Sequence, residues 1–315
     1  MKLVLLTTEQ IGQTLAMPIF NDSGIVFLNC GKVLTERLIQ QIQKIGIASI
    51  YIETPYVTLS LEEMIPSVIK GPLIKQTKLL FTEVLKSQVI DELQVNTIID
   101  TILENLSISE NAILINNIVA EDDFAVSCIN AIDQTVYALL LGLAKGYPAP
   151  KLKELAITAF LHNINHSDTT LTHKMIKSST NFSATISTSI LYSYESVNGS
   201  GPFGKTGSEF YEYAKIIKIA RDYVQLINSG KLPHEAIEIL FTGSGTLYEL
   251  ELIDLFTKNI YCYPNGLPVI LNNGLEGIVV KQNKSLPTRP AVLVQGKNII
   301  NLQNDLTTFI EKVAL

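Results

Sequence analysis

Cysteine, histidine and charge are all scarce in this chain. Three cysteines, Cys30, Cys128 and Cys262, are spread over 315 residues and form no CxxC pair. That spacing excludes a disulfide framework and makes buried free thiols in a reducing cytoplasm the expectation. The four histidines, His162, His166, His173 and His234, have no cysteine beside them, which argues against a zinc site. Charged residues make up 17% of the chain, the net charge is -6 and the pI is near 5.3. The basic footprint of a nucleic-acid binder is therefore missing. Long apolar runs are missing too. The start, MKLVLLTTEQ, holds a run of about five apolar residues, too short for a signal-peptide core. The stretch from Val136 to Ala144 falls well short of the roughly 20 residues of a membrane span. The expectation is a cytoplasmic protein without a membrane span.

Apolar residues, by contrast, are plentiful. At 47% hydrophobic, the chain can bury a sizeable core, and its length allows two or three compact units. Residues 1–57 read as a small α+β module. Leu3 to Leu6 is a short strand, and Asn21-Asp22-Ser23-Gly24 turns a hairpin between Pro18–Phe20 and Ile25–Leu28. Thr35 caps a helix with apolar positions Leu38, Ile39, Ile42 and Ile45, which Gly46 ends, and Ala48 to Ile52 returns to strand.

Residues 58–109 read as an amphipathic helical connector of the kind that packs against a partner subunit, so a homodimer is expected. Ser60 and Glu63 have capping-box spacing, and Gly71-Pro72 predicts an early break. Residues 110–260 read as an all-α core, with helices near 111–119, 124–145, 151–162, 184–194, 208–228, 234–241 and 247–257. Gly243-Ser244-Gly245 is too short and misplaced for a phosphate-binding loop and reads as an interhelical connection. Residues 261–315 read as β-rich, with strands near 269–271, 277–280 and 291–294 and a closing helix from Leu306 to Val313. The fold class is thus mainly α: a helical core flanked by a small N-terminal α+β module and a small C-terminal β-rich module.

One stretch carries a chemical signature. The helix at 151–162 ends in Leu161-His162-Asn163-Ile164-Asn165-His166, where a lone histidine reads as a capping or surface residue. Further on come SYESVNGSGPFG, from Ser193 to Gly204, and AKIIKIARDY, from Ala214 to Tyr223. In this order, the chain resembles the HD-GYP family of bacterial signalling phosphodiesterases. LHNINH falls where that family has Leu-His-Asp-Ile-Gly-Lys. SYESVNGSGPFG falls at its His-His-Glu and Asp-Gly-Ser-Gly run, and AKIIKIARDY at its Ala-Arg-Ile-Ile and Ile-Ala-Asp. The opening stretch from Ile11 to Glu53 and the tail from Tyr263 to Val294 resemble the flanks of Firmicutes-type members.

The resemblance implies an HD-GYP helical core and a site where two or three iron or manganese ions activate water against cyclic di-GMP. It also implies that most ligands are gone. The first-helix histidine falls at Asn130. His162 keeps its histidine, but the bridging aspartate is Asn163. The paired histidines fall at Ser193 and Tyr194, and the last aspartate at Arg221. Glu195 and Gly199-Ser200-Gly201 remain, the glycines being explained by loop geometry. Phosphate-contact positions fall at His166 and Lys215, and His173 is a candidate for a missing histidine.

Asparagine cannot bridge two cations as a carboxylate does, and an arginine brings a permanent charge. Arg221 reads either as a guanidinium filling the vacated metal space or as a snorkelling surface side chain. The implied function is a degenerate, inactive HD-GYP protein, either a sensor of cyclic di-GMP or a related nucleotide or a scaffold for an unidentified protein. The alternative is an atypical phosphodiesterase with a reduced site at His162, Glu195 and His173. No cofactor is expected, with iron or manganese only in that alternative.

Overall fold

The structure, a computed structural model, describes residues 1–44, 46–55, 61–109, 112–114, 117–120, 122–165, 168–284 and 286–315. Ile45, Ser60 and His166 lie outside the described residues. The four segments read from the sequence pool into two compact units. One comprises Met1–Gly71, Ser107–Glu121 and Tyr261–Leu315; the other comprises Pro72–Leu106 and Asp122–Ile260.

The first unit is built mostly of short strands. β1 (Lys2–Leu5) pairs antiparallel with β4 (Ser49–Ile52). β2 (Ile19–Asn21) and β3 (Val26–Leu28) form the expected hairpin. Asn21 closes that hairpin through its own side chain, whose Oδ1 accepts from the amides of Ser23 and Ile25. Between β3 and β4 runs α1 (Glu36–Lys44), with the Thr35 hydroxyl accepting from Leu38 N at 3.3 Å. Its apolar stripe buries Ile39 and Ile42 against Val4, Leu15, Ile19 and Ile52.

The stretch expected as a helix near 111–119 instead holds β6 (Ala112–Ile113) and β7 (Ile118–Val119). β6 pairs in parallel with β5 (Glu62–Glu63), and β7 in parallel with β2. β-Branched Ile113, Ile118 and Val119 suit those open edges better than a helix.

The tail forms a five-stranded antiparallel sheet in the order β11-β10-β9-β8-β12. Its strands are β8 (Pro268–Leu271), β9 (Glu276–Lys281), β10 (Ala291–Val294), β11 (Asn298–Asn301) and β12 (Ile310–Val313). β11 escaped the sequence reading, and β12 replaces the expected closing helix. The cause is local. Arg289 donates to the carbonyls of Leu302, Asp305, Leu306 and Thr308, and Asp305 accepts from Thr307 and Thr308. Carbonyls gathered on one guanidinium cannot serve a helix ladder. Cys30, in this unit, is exposed, so the expectation of buried thiols holds only for Cys128 and Cys262.

α2 (Ser67–Ser87) starts where Glu63 accepts the amide and hydroxyl of Ser67. The predicted break does not occur, because α2 runs through Pro72. The carbonyl that loses its partner belongs to Val68, which is 69% exposed and open to water. Gly71 has a different purpose. A Cβ placed there would lie 2.4 Å from the Gly24 Cα, so the turn of the hairpin touches the bare backbone of the helix.

The second unit is all-helical: the rest of α2, then α3 (Glu92–Asn105), α4 (Asp123–Ala144), α5 (Ala149–Leu161), α6 (Thr169–Ser179), α7 (Ala184–Leu191), α8 (Glu212–Asn228), α9 (Pro233–Thr242) and α10 (Leu250–Asn259). α6, a polar helix that the sequence reading missed, is capped by Asp168, whose Oδ1 accepts from Leu171 N at 3.0 Å. The Gly243-Ser244-Gly245 segment is the connection between α9 and α10, as expected.

α4 is the central helix, packed against α5, α8 and α10. By length and composition it is apolar enough to cross a membrane, which the 136–144 stretch alone did not suggest, but 67% of that window is buried inside the fold. Tyr137, Tyr223 and Phe256 lock α4, α8 and α10 edge to face, at centroid distances of 4.8 Å for Tyr137–Tyr223 and 5.3 Å for Tyr223–Phe256.

Gly71→Ala is expected to lower the thermal midpoint. The overpacking cost of about 1–3 kcal/mol outweighs the roughly 1 kcal/mol that alanine gains in a helix. A melt showing the variant more stable than the parent would contradict the Gly24 contact.

Candidate functional site

The C-terminal end of α5 sets the site. The helix ends at Leu161 and His162 is its C-cap, so the histidine sits where the ladder stops. It is not on the surface; its exposure is 1%. Its Nδ1 lies 2.6 Å from the Ala159 carbonyl, which places the proton on Nδ1. Nε2 is left with a buried lone pair and no hydrogen-bond partner among the described residues. Burial, and then the nearby Arg221 charge, push the imidazole pKa down to about 3. His162 is therefore a neutral acceptor.

The next residues are fastened by amides. Asn163 Nδ2 donates to Gln134 Oε1 on α4 at 3.0 Å, and Asn165 Nδ2 donates to Thr172 Oγ1 on α6 at 3.0 Å. Asn163 thus ties the end of α5 to α4 with neutral groups.

The turn after α7 meets α8 through Arg221. Arg221 is 5% exposed, so it is not a snorkelling surface side chain. Nη1 donates to the Ser193 carbonyl at 3.0 Å. Nε and Nη2 reach Asp222 Oδ1 at 2.9 and 2.8 Å. The guanidinium carbon stands 3.9 Å from the centre of the Tyr194 ring, within cation–π range. Asp222 is held from its other side by the Tyr248 hydroxyl at 2.9 Å and by Lys218 Nζ at 3.7 Å. Burial lowers the Lys218 pKa and raises that of Tyr248.

Glu195 is buried but already committed. Its Oε1 accepts from Phe203 N at 2.6 Å and its Oε2 from Lys205 N at 2.7 Å. Gly201 is required beside it, since a Cβ there would lie 2.5 Å from the Glu195 Cα. The carboxylate and the glycine-rich loop are one device, and Glu195 anchors the loop.

Three positions lie apart from this group in their bonding. Asn130 Oδ1 accepts from Asn228 Nδ2 at 2.7 Å, which joins α4 to α8. His173 Nδ1 faces the Ser187 carbonyl at 2.9 Å, which joins α6 to α7. Lys215 is paired with Glu249 at 2.8 Å, so its charge is spent within the protein. The structure thus brings Ser193, Tyr194 and Arg221 together, with His162 close enough to feel the Arg221 charge. Gln134, Asp222, Lys218 and Tyr248 complete the site and were missed. The i, i+4 spacing of Lys218 and Asp222 was a visible signal for two of them.

The donor set does not fit a metal cluster. His162 Nε2 is one available ligand, but Glu195 is taken by two amides and Asp222 by three side chains. Among the described residues, no group of three His, Cys, Asp or Glu side chains is placed to hold a metal ion. A guanidinium also repels a cation by roughly 4 kcal/mol per unit charge at 4 Å and an effective dielectric constant of 20, and a divalent ion doubles that.

No family model matches the chain, and no curated protein matches it. Among solved structures, it is similar to Bd1817, a HDG"Y"P protein from Bdellovibrio bacteriovorus. The TM-score is 0.47 and the identity 14%, over 81% of this chain and 98% of that chain.

The His162 shift fixes a pH dependence. Unfolded, the imidazole takes a proton near its ordinary value of 6.5; folded, it stays neutral down to about 3. As pH falls below 6.5, only the unfolded state gains the proton, so stability is lost, by on the order of 1 kcal/mol per pH unit. Above that value His162 adds no slope. Urea unfolding from pH 7 to pH 4 is expected to show a shallower loss for His162→Gln than for the parent, and equal slopes would sink this assignment.

Proposed function

We propose that this chain is a degenerate HD-GYP-type protein without phosphodiesterase activity, acting as a protein-interaction scaffold in a cyclic di-GMP pathway. The observation that carries the reading is the seat of Arg221. Where the resemblance assigns metal ligands, a buried guanidinium bonds Ser193, stacks on Tyr194 and pairs with Asp222. Asn163 likewise bonds Gln134 in place of a bridging carboxylate.

The scaffold form is favoured over the nucleotide sensor because Lys215, a phosphate-contact position, is neutralised by Glu249. Exposed Leu79, Leu85 and Leu93 on α2 and α3 offer apolar surface for a protein, including a second copy of the chain. The competing reading, a phosphodiesterase with a reduced iron or manganese site, draws on the free lone pair of His162 Nε2.

The test is metal analysis of protein purified without chelator from iron- and manganese-rich medium, with a cyclic di-GMP hydrolysis assay on the same sample. The expected result is metal far below stoichiometry and no linear dinucleotide. Near-stoichiometric iron or manganese with product formation would overturn the proposal in favour of the reduced-site enzyme. Titration calorimetry then separates the remaining forms: no cyclic di-GMP heat supports the scaffold, and saturable binding without turnover replaces it with the sensor.

A further inference from the structure

The surroundings of Arg221 are built for the guanidinium more than for the residue. Ser193 presents its carbonyl at 3.0 Å, Asp222 its Oδ1 at 2.9 and 2.8 Å, and Tyr194 the face of its ring at 3.9 Å. In-plane acceptors with an aromatic face are the complement of a flat cation with peripheral N–H groups. Ser193 and Asp222 have contacts of their own besides Arg221. Ser193 N donates to the Ile190 carbonyl at 3.2 Å, and its hydroxyl to the same carbonyl at 2.9 Å. Asp222 is held by Tyr248 and Lys218. The guanidinium's covalent link to α8 is its aliphatic stem, and Asp222 of the same helix is one of its acceptors.

We propose that Ser193, Tyr194 and Asp222 form a binding site for a planar guanidinium-class cation, and that Arg221 is its built-in occupant. The proposal stands on these contacts and not on the family reading. Truncating the stem leaves the buried Ser193 carbonyl and the half-buried Asp222 Oδ1 without the guanidinium donors. A free guanidinium ion has the shape, the donors and the charge to restore both. A spherical metal ion cannot stack on the ring while donating in its plane. The occupant also orders the adjoining loop. Ser193 and Tyr194 begin the segment that Glu195 closes onto Phe203 and Lys205, and Phe203, 45% exposed, packs edge-on against Tyr192 at 5.7 Å.

The experiment compares thermal melts of full-length parent, Arg221→Ala and Arg221→Met across millimolar guanidinium chloride, with sodium chloride and manganese chloride as parallel series. Arg221→Ala is expected to melt several degrees below the parent and to regain part of that loss saturably with guanidinium alone. Arg221→Met, which keeps the bulk of the stem in place, is expected to regain little. A parent-like melt of Arg221→Ala, an equal guanidinium response in parent and variant, or recovery by manganese instead would each overturn the proposal. If Arg221→Ala does not fold unaided, refolding from urea is expected to recover the helical circular dichroism signal only with guanidinium present. Absence of that recovery would likewise overturn it. The metal content of the parent protein is untouched by any of these outcomes, so the two proposals fail separately.

Discussion

A single buried charge organises the helical unit's site. Arg221 cannot be left in a low-dielectric interior without partners, because removing a guanidinium from water costs several kcal/mol even after relaxation. Everything around it meets that requirement. The Ser193 carbonyl and the Asp222 carboxylate accept its hydrogen bonds, and Tyr194 covers its face. Asp222 must in turn be held, and Tyr248 and Lys218 do so. His162, within the field of the same charge, is kept neutral and so adds no repulsion.

The same arrangement opposes a bound cation through electrostatics. A metal centre needs convergent anionic or neutral donors with spare lone pairs. Here the carboxylates are occupied by protein donors, and the asparagines at 163 and 165 bond to Gln134 and Thr172. Glu195 and Gly201 form one structural unit that anchors the glycine-rich loop. Together these residues form a self-consistent polar core.

Much of the fold was legible. Helices with a strong apolar stripe or clear punctuation, such as α4, α5 and α8, were visible within a few residues, as was the hairpin around Asn21–Gly24. Failures occurred where tertiary partners decided. Arg289 turns the 302–308 carbonyls away from a helix, and open strand edges claim Ile113 and Ile118. α6 was missed because its sequence is polar, with threonines at two of its four buried positions, Thr169 and Thr172 beside Met175 and Ile176. In the site, the identities of Asn163, Ser193, Tyr194 and Arg221 could be read in advance. The pairing of Arg221 with the adjacent Asp222, and the capture of Lys215 by Glu249, depend on helix packing and could not.

The chain has three arginines, Arg37, Arg221 and Arg289, and Arg37 is exposed, which makes the central claim open to one spectroscopic measurement. Side-chain Nε–H signals can be followed by nitrogen-15 NMR, with Arg37 as the internal reference and Arg221→Lys supplying the assignment. A guanidinium clamped by Ser193, Asp222 and Tyr194 should show an Nε–H strongly protected from solvent exchange and slow rotation about the Nε–Cζ bond. Exchange and rotation as fast as those of Arg37 would contradict the account.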